Sequence, residues 1–294
     1  MKRIHLIDAS MYVFRAWHSM PDQFFDVDRN PVNAVHGFCR FMLDLLEREQ
    51  PAHAAMAFDV SLTTSFRNAI YPPYKANRDP APESLKRQFE YCRELAAAMG
   101  FCVLADTSYE ADDLIGSTAH AMRRHDFCTV IVSADKDFGQ LLGHGDEQWD
   151  FARGLRWGAD DVPERIGVRA DQVIDYLALA GDAVDNIPGV RGIGAKTAAA
   201  LLAHFDTLEA LLERIDEVPF LRLRGAAGIA RKLREDADNA RLSRQLSAIA
   251  LDAPVPLEPS EFALQGPQPE RVNELCDHLG IGPGTRRRIE ALHA

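Results

Sequence analysis

No apolar run in this chain of 294 residues reaches the ~18 residues that a membrane-spanning helix needs. Cysteine is scarce: Cys39, Cys92, Cys102, Cys128 and Cys276 stand singly and far apart. No Cys-x-x-Cys pair is present, which excludes the usual zinc and dithiol redox motifs. The five thiols are expected to stay reduced, in a reducing compartment. No secretory leader is expected either, since Met-Lys-Arg-Ile-His-Leu-Ile-Asp reads as a charged end running into a short strand. These absences make a cytoplasmic protein with no membrane partner the expectation. The chain also lacks an excess of positive charge. Its net charge of −11 at first argues against a nucleic-acid partner. Neither a long repeat nor a low-complexity tract appears.

Apolar residues make up 47% of the chain, enough to build a core for one large or two smaller domains. The informative stretch is 105–137. It carries Glu110, Asp112 and Asp113 before an amphipathic run, then Asp135 and Asp137 after Thr-Val-Ile-Val-Ser-Ala. Carboxylates this dense raise each other's pKa, and a bound cation removes that penalty. Hard divalent ions take oxygen ligands and are often held by a few carboxylates plus substrate phosphate. Taken singly, Glu110, Asp112 and Asp113 could be acids of a helix's first turn, favoured there by the macrodipole. Asp135 and Asp137 could likewise be a polar turn after a buried strand. The placement of further acids decides between these readings.

Residues 3–7 are a short apolar run ending at Asp8, the pattern of a buried parallel strand. A helix over 9–17 carries Arg15. Over 33–50 an apolar stripe of Val35, Phe38, Met42, Leu45 and Leu46 predicts a helix that stops before Pro51. Residues 52–58 form a second strand, ending at Asp59. The segment 61–82 is polar, basic and rich in proline. It is either a solvated loop or a mobile cover over the site, with Lys75 and Arg78 spaced to share a helix face. A helix over 84–99 ends at Gly100, a third strand follows over 101–105, and a helix runs on to 124. A fourth strand over 128–134 ends at Asp135, and 149–157 reads as a hairpin. This alternation predicts an α/β fold with a mainly parallel sheet covered by helices. Asp8, Asp59 and Asp135 then fall at the C-terminal ends of strands, with Glu110 in the loop after another. Open α/β sheets bind ligands at that edge, and independent acids have no reason to gather there.

Composition shifts near residue 170, giving an α/β domain over 1–170 and a helical domain over 171–294. A helix over 170–181 delivers Asp182 and Asp185, whose spacing puts both on one side of a helical turn. Then comes Asn-Ile-Pro-Gly-Val-Arg-Gly-Ile-Gly-Ala-Lys-Thr-Ala over 186–198. Gly189, Gly192 and Gly194 allow a tight hairpin between two helices. The second helix would start near Ala195 and offer its N–H groups, with Lys196 and Thr197, to a DNA phosphate. This is a helix–hairpin–helix signature, spanning about 186–205. No strand precedes it, so the Gly-x-Gly is not a dinucleotide fingerprint. Helices over 226–235 and 237–250, a proline-bearing linker over 254–269 and a terminal helical piece over 270–294 complete the chain. The arginine run 286–288 reads as a solvated helix end.

With these motifs, the chain resembles the 5′-nuclease family, which includes the nuclease domain of bacterial DNA polymerase I, phage 5′-exonucleases and flap endonucleases. The resemblance runs from Ile4 to about residue 255. It rests on Leu-Ile-Asp8, Phe-Asp59, Phe66-Arg67, Tyr74-Lys75-x-x-Arg78, Glu110-Ala-Asp112-Asp113, Asp135-Lys-Asp137 and the Gly181-Asp182 to Ala198 motif. It implies a PIN/resolvase-like sheet domain with a helical arch near 61–90, and a helix-3-turn-helix in the helical part. It implies a structure-specific nuclease that hydrolyses DNA at 5′ ends or 5′ flaps with two divalent ions, Mg²⁺ or Mn²⁺. Asp8, Asp59, Glu110, Asp112 and Asp113 would form a first group of metal ligands; Asp135, Asp137, Asp182 and Asp185 would form a second. Tyr74, Lys75 and Arg78 would serve catalysis from the arch. Arg15, Arg67, Gly189, Gly192, Gly194, Lys196 and Thr197 would contact DNA, with K⁺ at the hairpin. Setting these nine acids aside leaves 35 of the 44 against 33 bases, a nearly balanced surface on which basic patches remain possible. The family commonly has Gly where this chain has Ala9. No polymerase sequence follows within these residues, so a stand-alone monomer with a possible polymerase partner is expected. A PIN-type ribonuclease shares the sheet and acids, but lacks the hairpin and arch. A non-catalytic DNA-structure binder has no need of nine carboxylates.

Overall fold

The computed structural model describes residues 2–61 and 63–292. Leu62, within the expected cover, and His293 and Ala294, at the end of the expected terminal helices, lie outside the described residues. In chain order the first elements are β1 (Lys2–Asp8), α1 (Ala9–Ser19), α2 (Asn33–Glu49), β2 (Ala54–Asp59), α3 (Phe66–Ile70) and α4 (Glu83–Ala98). Next come β3 (Cys102–Asp106), α5 (Ala111–Arg123), β4 (Phe127–Val132), β5 (Glu147–Asp150), β6 (Leu155–Gly158), α6 (Val162–Ile166) and α7 (Val173–Ala180). The rest are helices: α8 (Ala195–Phe205), α9 (Leu208–Glu213), α10 (Ala226–Glu235), α11 (Ala237–Ser247), α12 (Pro269–His278) and α13 (Pro283–Ala291). No described helix is long and apolar enough to cross a membrane.

The described residues form two compact units. The first comprises Met1–Ser61, Pro80–Ser133 and Ala250–Ala294; the second comprises Leu62–Asp79 and Ala134–Ile249. The change of composition near residue 170 marks where helical sequence takes over, but the units interleave along the chain. Residues 134–170 go with the helices, and the terminal piece returns to the sheet.

In the first unit the strands lie in the order β3-β2-β1-β4, all parallel. β2 is buried over Ala54–Phe58 and β4 over its whole length, as strands covered on both faces should be. The α2 stripe is fully laid down: Val35, Phe38, Met42 and Leu45 have no exposed surface. α2 starts without a side-chain cap of its own. Buried Gln88 of α4 supplies it, accepting from the Ala34 N–H at 2.7 Å while donating to Asn33 Oδ1 at 3.2 Å. The chain runs from β1 outward to β2 and β3, then restarts on the other side of β1 with β4. That reversal beside the end of β1 is the usual place for a ligand crevice.

The terminal piece is tied in by its main chain. Leu264 donates to the Ala52 carbonyl at 3.0 Å, Gln265 to Gly100 at 3.1 Å and Gln268 to Ala98 at 2.8 Å. Arg288 of α13 pairs with Asp44 and Glu47 of α2 at 2.7 and 2.8 Å. In the second unit β5 and β6 form the expected antiparallel hairpin, and α7 packs on α11.

Gly100 ends α4 with φ +89°, and a Cβ there would lie 2.0 Å from the Gln265 carbonyl oxygen. Left-handed backbone and a main-chain clash act together at this residue. Gly100→Ala is therefore expected to lower the unfolding free energy by about 2 kcal/mol or more. Urea denaturation measures this, and a change under about 0.5 kcal/mol would show that the turn relaxes freely.

Candidate active site

The first acid group lies in the first unit, at the C-terminal edge of the sheet. Asp8 is the last residue of β1 and the N-cap of α1. One oxygen accepts the Met11 N–H at 3.1 Å and the other accepts the Ser133 hydroxyl at 3.0 Å. Ser133 directly follows β4, so Asp8 is fixed at the topological reversal. Ala9 is wholly buried, in keeping with a small residue there. Asp59 ends β2 and donates its N–H to Ser10 Oγ at 2.8 Å. Its Oδ1 accepts the Ala111 N–H at 2.9 Å, which ties the end of β2 to the start of α5. Glu110 is the buried N-cap of α5, and Asp112 lies half-buried in its first turn.

Asp113 has a different task from the metal ligation expected of it. It has no exposed surface, and both its oxygens meet main-chain donors. Oδ2 accepts the Glu110 N–H at 3.0 Å and Oδ1 accepts the Ala250 N–H at 2.8 Å. Asp113 is thus a buried cap that closes the start of α5 and fastens the returning chain.

The second acid group lies in the second unit. Asp135 accepts the Asp137 N–H at 2.9 Å. Burial, then the charge of Asp135, pushes the Asp137 carboxyl up to about 6. Lys136 answers both neighbours, with Nζ 3.2 Å from Asp137 and 3.5 Å from Asp182. Burial opposes its charge, but the carboxylates of Asp137 and Asp182 hold the ammonium above its ordinary pKa. Lys136 was missed in the sequence, though a lysine set between two aspartates of a cluster was a usable signal.

Asp182 and Asp185 do not share a helical turn, because α7 stops at Ala180. The loop between them is closed by a bridge between Asp182 and Ile187. Asp182 faces Lys136, whereas Asp185 meets Arg78, with Lys75 at 3.8 Å.

The expected arch is short. Among the described residues between β2 and α4, only α3 is helical, and residues 71–78 form turns, with Lys75 itself at φ +54°. The helix face expected for Lys75 and Arg78 is absent; the turn brings both to Asp185 instead. Lys75 N–H donates to the Asp185 carbonyl at 3.0 Å, Asn77 to Ala183 at 2.9 Å and Asn186 to Pro73 at 2.7 Å. Tyr74 is 3% exposed and packs with Ile187 and Leu246, so the catalytic contact expected of it gives way to a core role. Arg15 is exposed on α1.

In the hairpin, Gly181 at φ +71° and Gly189 at φ +60° back onto each other. A Cβ on Gly189 would lie 2.5 Å from the Gly181 nitrogen. Gly189 is buried and donates to Ser243 Oγ at 2.9 Å. Its place is inside the fold, not facing DNA as expected. Gly192 has φ +75°, whereas Gly194 is extended and caps α8 with open space around it. Gly192, Gly194 and Lys196 are exposed, and Thr197 is half-buried.

Among the described residues, the set of three side chains whose ligand atoms all come within 4.8 Å of one another is Asp26, Asp28 and His278. Asp26 is already filled by Asn30 and the Asp28 N–H, and His278 Nε2 lies 2.8 Å from Tyr91 Oη. That set is hydrogen-bond architecture. Within each acid group the donors are carboxylate oxygens, the chemistry that suits a hard divalent ion. Gathering them around one ion requires side-chain rotation.

A family model for the 5′-3′ exonuclease N-terminal resolvase-like domain matches residues 3–167. One for the 5′-3′ exonuclease C-terminal SAM fold matches residues 168–270. DNA polymerase I of Rhizobium leguminosarum is 35% identical over 98% of this chain and 28% of that protein. DNA polymerase I of Bacillus subtilis is 36% identical over 95% of this chain and 31% of that protein. The chain therefore spans about a third of the length of these relatives. Among solved structures, the T5 D15 protein co-crystallised with metal ions aligns with a TM-score of 0.68 at 19% identity, over 99% of this chain and 98% of that one. The catalytic core of Rad2 in complex with DNA substrate aligns with 0.66 at 15% identity, over 99% and 92%. At such identities the likeness is one of fold.

Arg67 overturns another expectation. It is 3% exposed, and its guanidinium donates to the carbonyls of Leu246 at 2.8 Å and Ala248 at 2.7 Å. It therefore staples α3 to the end of α11 and does not present its charge to DNA. Arg67→Met would leave those carbonyls without this donor, so unfolding free energy should fall by about 2–4 kcal/mol. The salt dependence of DNA binding should stay unchanged; a shallower slope would restore Arg67 to the DNA-facing set.

Proposed function

Because the chain belongs to the 5′-3′ exonuclease family, we propose that it is a metal-dependent 5′ nuclease that cleaves DNA at 5′ ends or 5′ flaps. The observation that carries this is the series of acids at the ends of β1 and β2, in the first turn of α5 and just beyond β4. Asp8, Asp59, Glu110 and Asp112 would hold one divalent ion. Asp135, Asp137, Asp182 and Asp185 would hold a second, Mg²⁺ or Mn²⁺ in each case. Such ions supply a nucleophilic water and neutralise charge on the phosphate. The chain's own residues do the rest. Ser133 and the Met11 N–H hold Asp8 in place, and the Ala111 N–H does the same for Asp59. Burial first, and then the charge of Asp135, raise the pKa of Asp137, and a cation would relieve the second of these.

Lys196, Thr197 and the exposed start of α8 would grip the phosphate backbone of duplex DNA, a contact that positions without reading bases. Arg15, exposed on α1 of the first unit, would also contact DNA. The working form would be a monomer, with a DNA polymerase as possible partner.

Asp112→Asn and Asp135→Asn should each abolish cleavage of a 5′-flapped duplex in Mg²⁺ while keeping its binding. Removing a negative charge does not weaken attraction to phosphate. Near wild-type cleavage by either variant would show that the acids are misassigned.

Lys75 and Arg78 now neutralise Asp185. Released from it, Lys75 would face the scissile phosphate and stabilise charge that builds up during cleavage. Lys75→Ala should then slow single-turnover cleavage by about 10²-fold, the scale of one lost preorganised contact, with little change in flap affinity. A slowing of less than about threefold would mark Lys75 as a surface residue, since such substitutions lie within about 0.5 kcal/mol.

A further inference from the structure

The turn over 190–194 is gripped from the end of α10 at two successive residues. Asp236, the C-cap of α10, is buried and accepts the Arg191 N–H at 3.0 Å. Lys232, one helical turn earlier on the same face, directs its ammonium at the Gly192 carbonyl at 3.5 Å. The fit is close. A Cβ on Gly192 would lie 2.3 Å from Lys232 Nζ, and Gly192 has φ +75°. Any side chain at 192 would therefore displace the lysine as well as strain the turn. Gly192 itself is exposed, and two residues on, Gly194 caps α8. A fixed positive charge thus stands behind the turn that leads into the exposed start of α8.

We propose that Lys232 is the resident cation of this turn. Its ammonium fills the electrostatic place that a bound monovalent ion would take, and so prepares the turn to hold a DNA phosphodiester. A carbonyl that already faces an ammonium is a poor ligand for K⁺, because the two like charges would lie side by side. Two consequences follow. Duplex binding should not depend on which monovalent cation is present, and the charge of Lys232 should contribute to the salt dependence of binding. Lys232 acts as a positioning residue, through the Gly192 peptide. The inference rests on the reading of the hairpin as a duplex-holding element.

The test measures equilibrium binding of a fluorescein-labelled 5′-flapped duplex to the full chain, in KCl and in tetramethylammonium chloride at equal ionic strength. The wild type should bind within twofold in the two salts. Lys232→Met should bind about tenfold more weakly in tetramethylammonium, regain affinity in KCl, and show a salt slope shallower by about one. Lys232→Arg keeps the charge and should stay within twofold of wild type, which covers the case in which the methionine variant folds poorly. A wild type that needs K⁺ for tight binding would overturn the proposal. So would wild-type binding by Lys232→Met, or an equal loss in the arginine and methionine variants. Lys196→Ala separates the two levels of the reading. If it weakens binding while Lys232→Met does not, only the role of Lys232 falls. If neither weakens binding, the hairpin does not hold the duplex and both fall.

Discussion

Repulsion between carboxylates is the constraint that shapes this molecule. Acids are gathered at the ends of strands and helix starts, where their charges cannot spread into solvent. Each is therefore given something to answer it. Asp8 receives an N–H and a hydroxyl, Asp59 receives the first N–H of α5, and Asp113 receives two main-chain donors. In the second unit the answer is cationic: Lys136 between Asp137 and Asp182, and Arg78 with Lys75 at Asp185. The Asp137 carboxyl is nonetheless raised, by burial first and by the charge of Asp135 second.

What could be read from the sequence followed from strict periodicity. Short apolar runs ending in Asp8 and Asp59 gave parallel strands with acids at their C-terminal ends, and the α2 stripe gave a core helix. These patterns are local, and burial on both faces leaves few other ways to use them. The glycine-marked hairpin was equally legible, because a positive φ at Gly189 and Gly192 leaves a compositional trace.

The errors share one cause: a side chain's partner lies far away in the sequence. Asp113 looks like its neighbour Asp112 until Ala250, more than a hundred residues on, donates to it. Arg67 reads as a basic loop residue, yet its acceptors are the carbonyls of Leu246 and Ala248. The spacing of Lys75 and Arg78 suggested a helix, but the peptide groups of residues 73, 183 and 185 pin that segment into turns. The return of the terminal piece to the first unit is tied partly by main-chain bonds at Ala52, Ala98 and Gly100, which leave no side-chain signature, and partly by Arg288, whose partners Asp44 and Glu47 lie far away in the sequence.

The proposed grip on DNA has to come from the bases of a chain whose net charge is −11. Several of these bases are fixed by a peptide group or an acid: Lys136 between carboxylates, Lys232 at the Gly192 carbonyl, Arg288 on Asp44 and Glu47. At the hairpin the proposed grip would combine the N–H groups at the start of α8 with one ammonium behind Gly192.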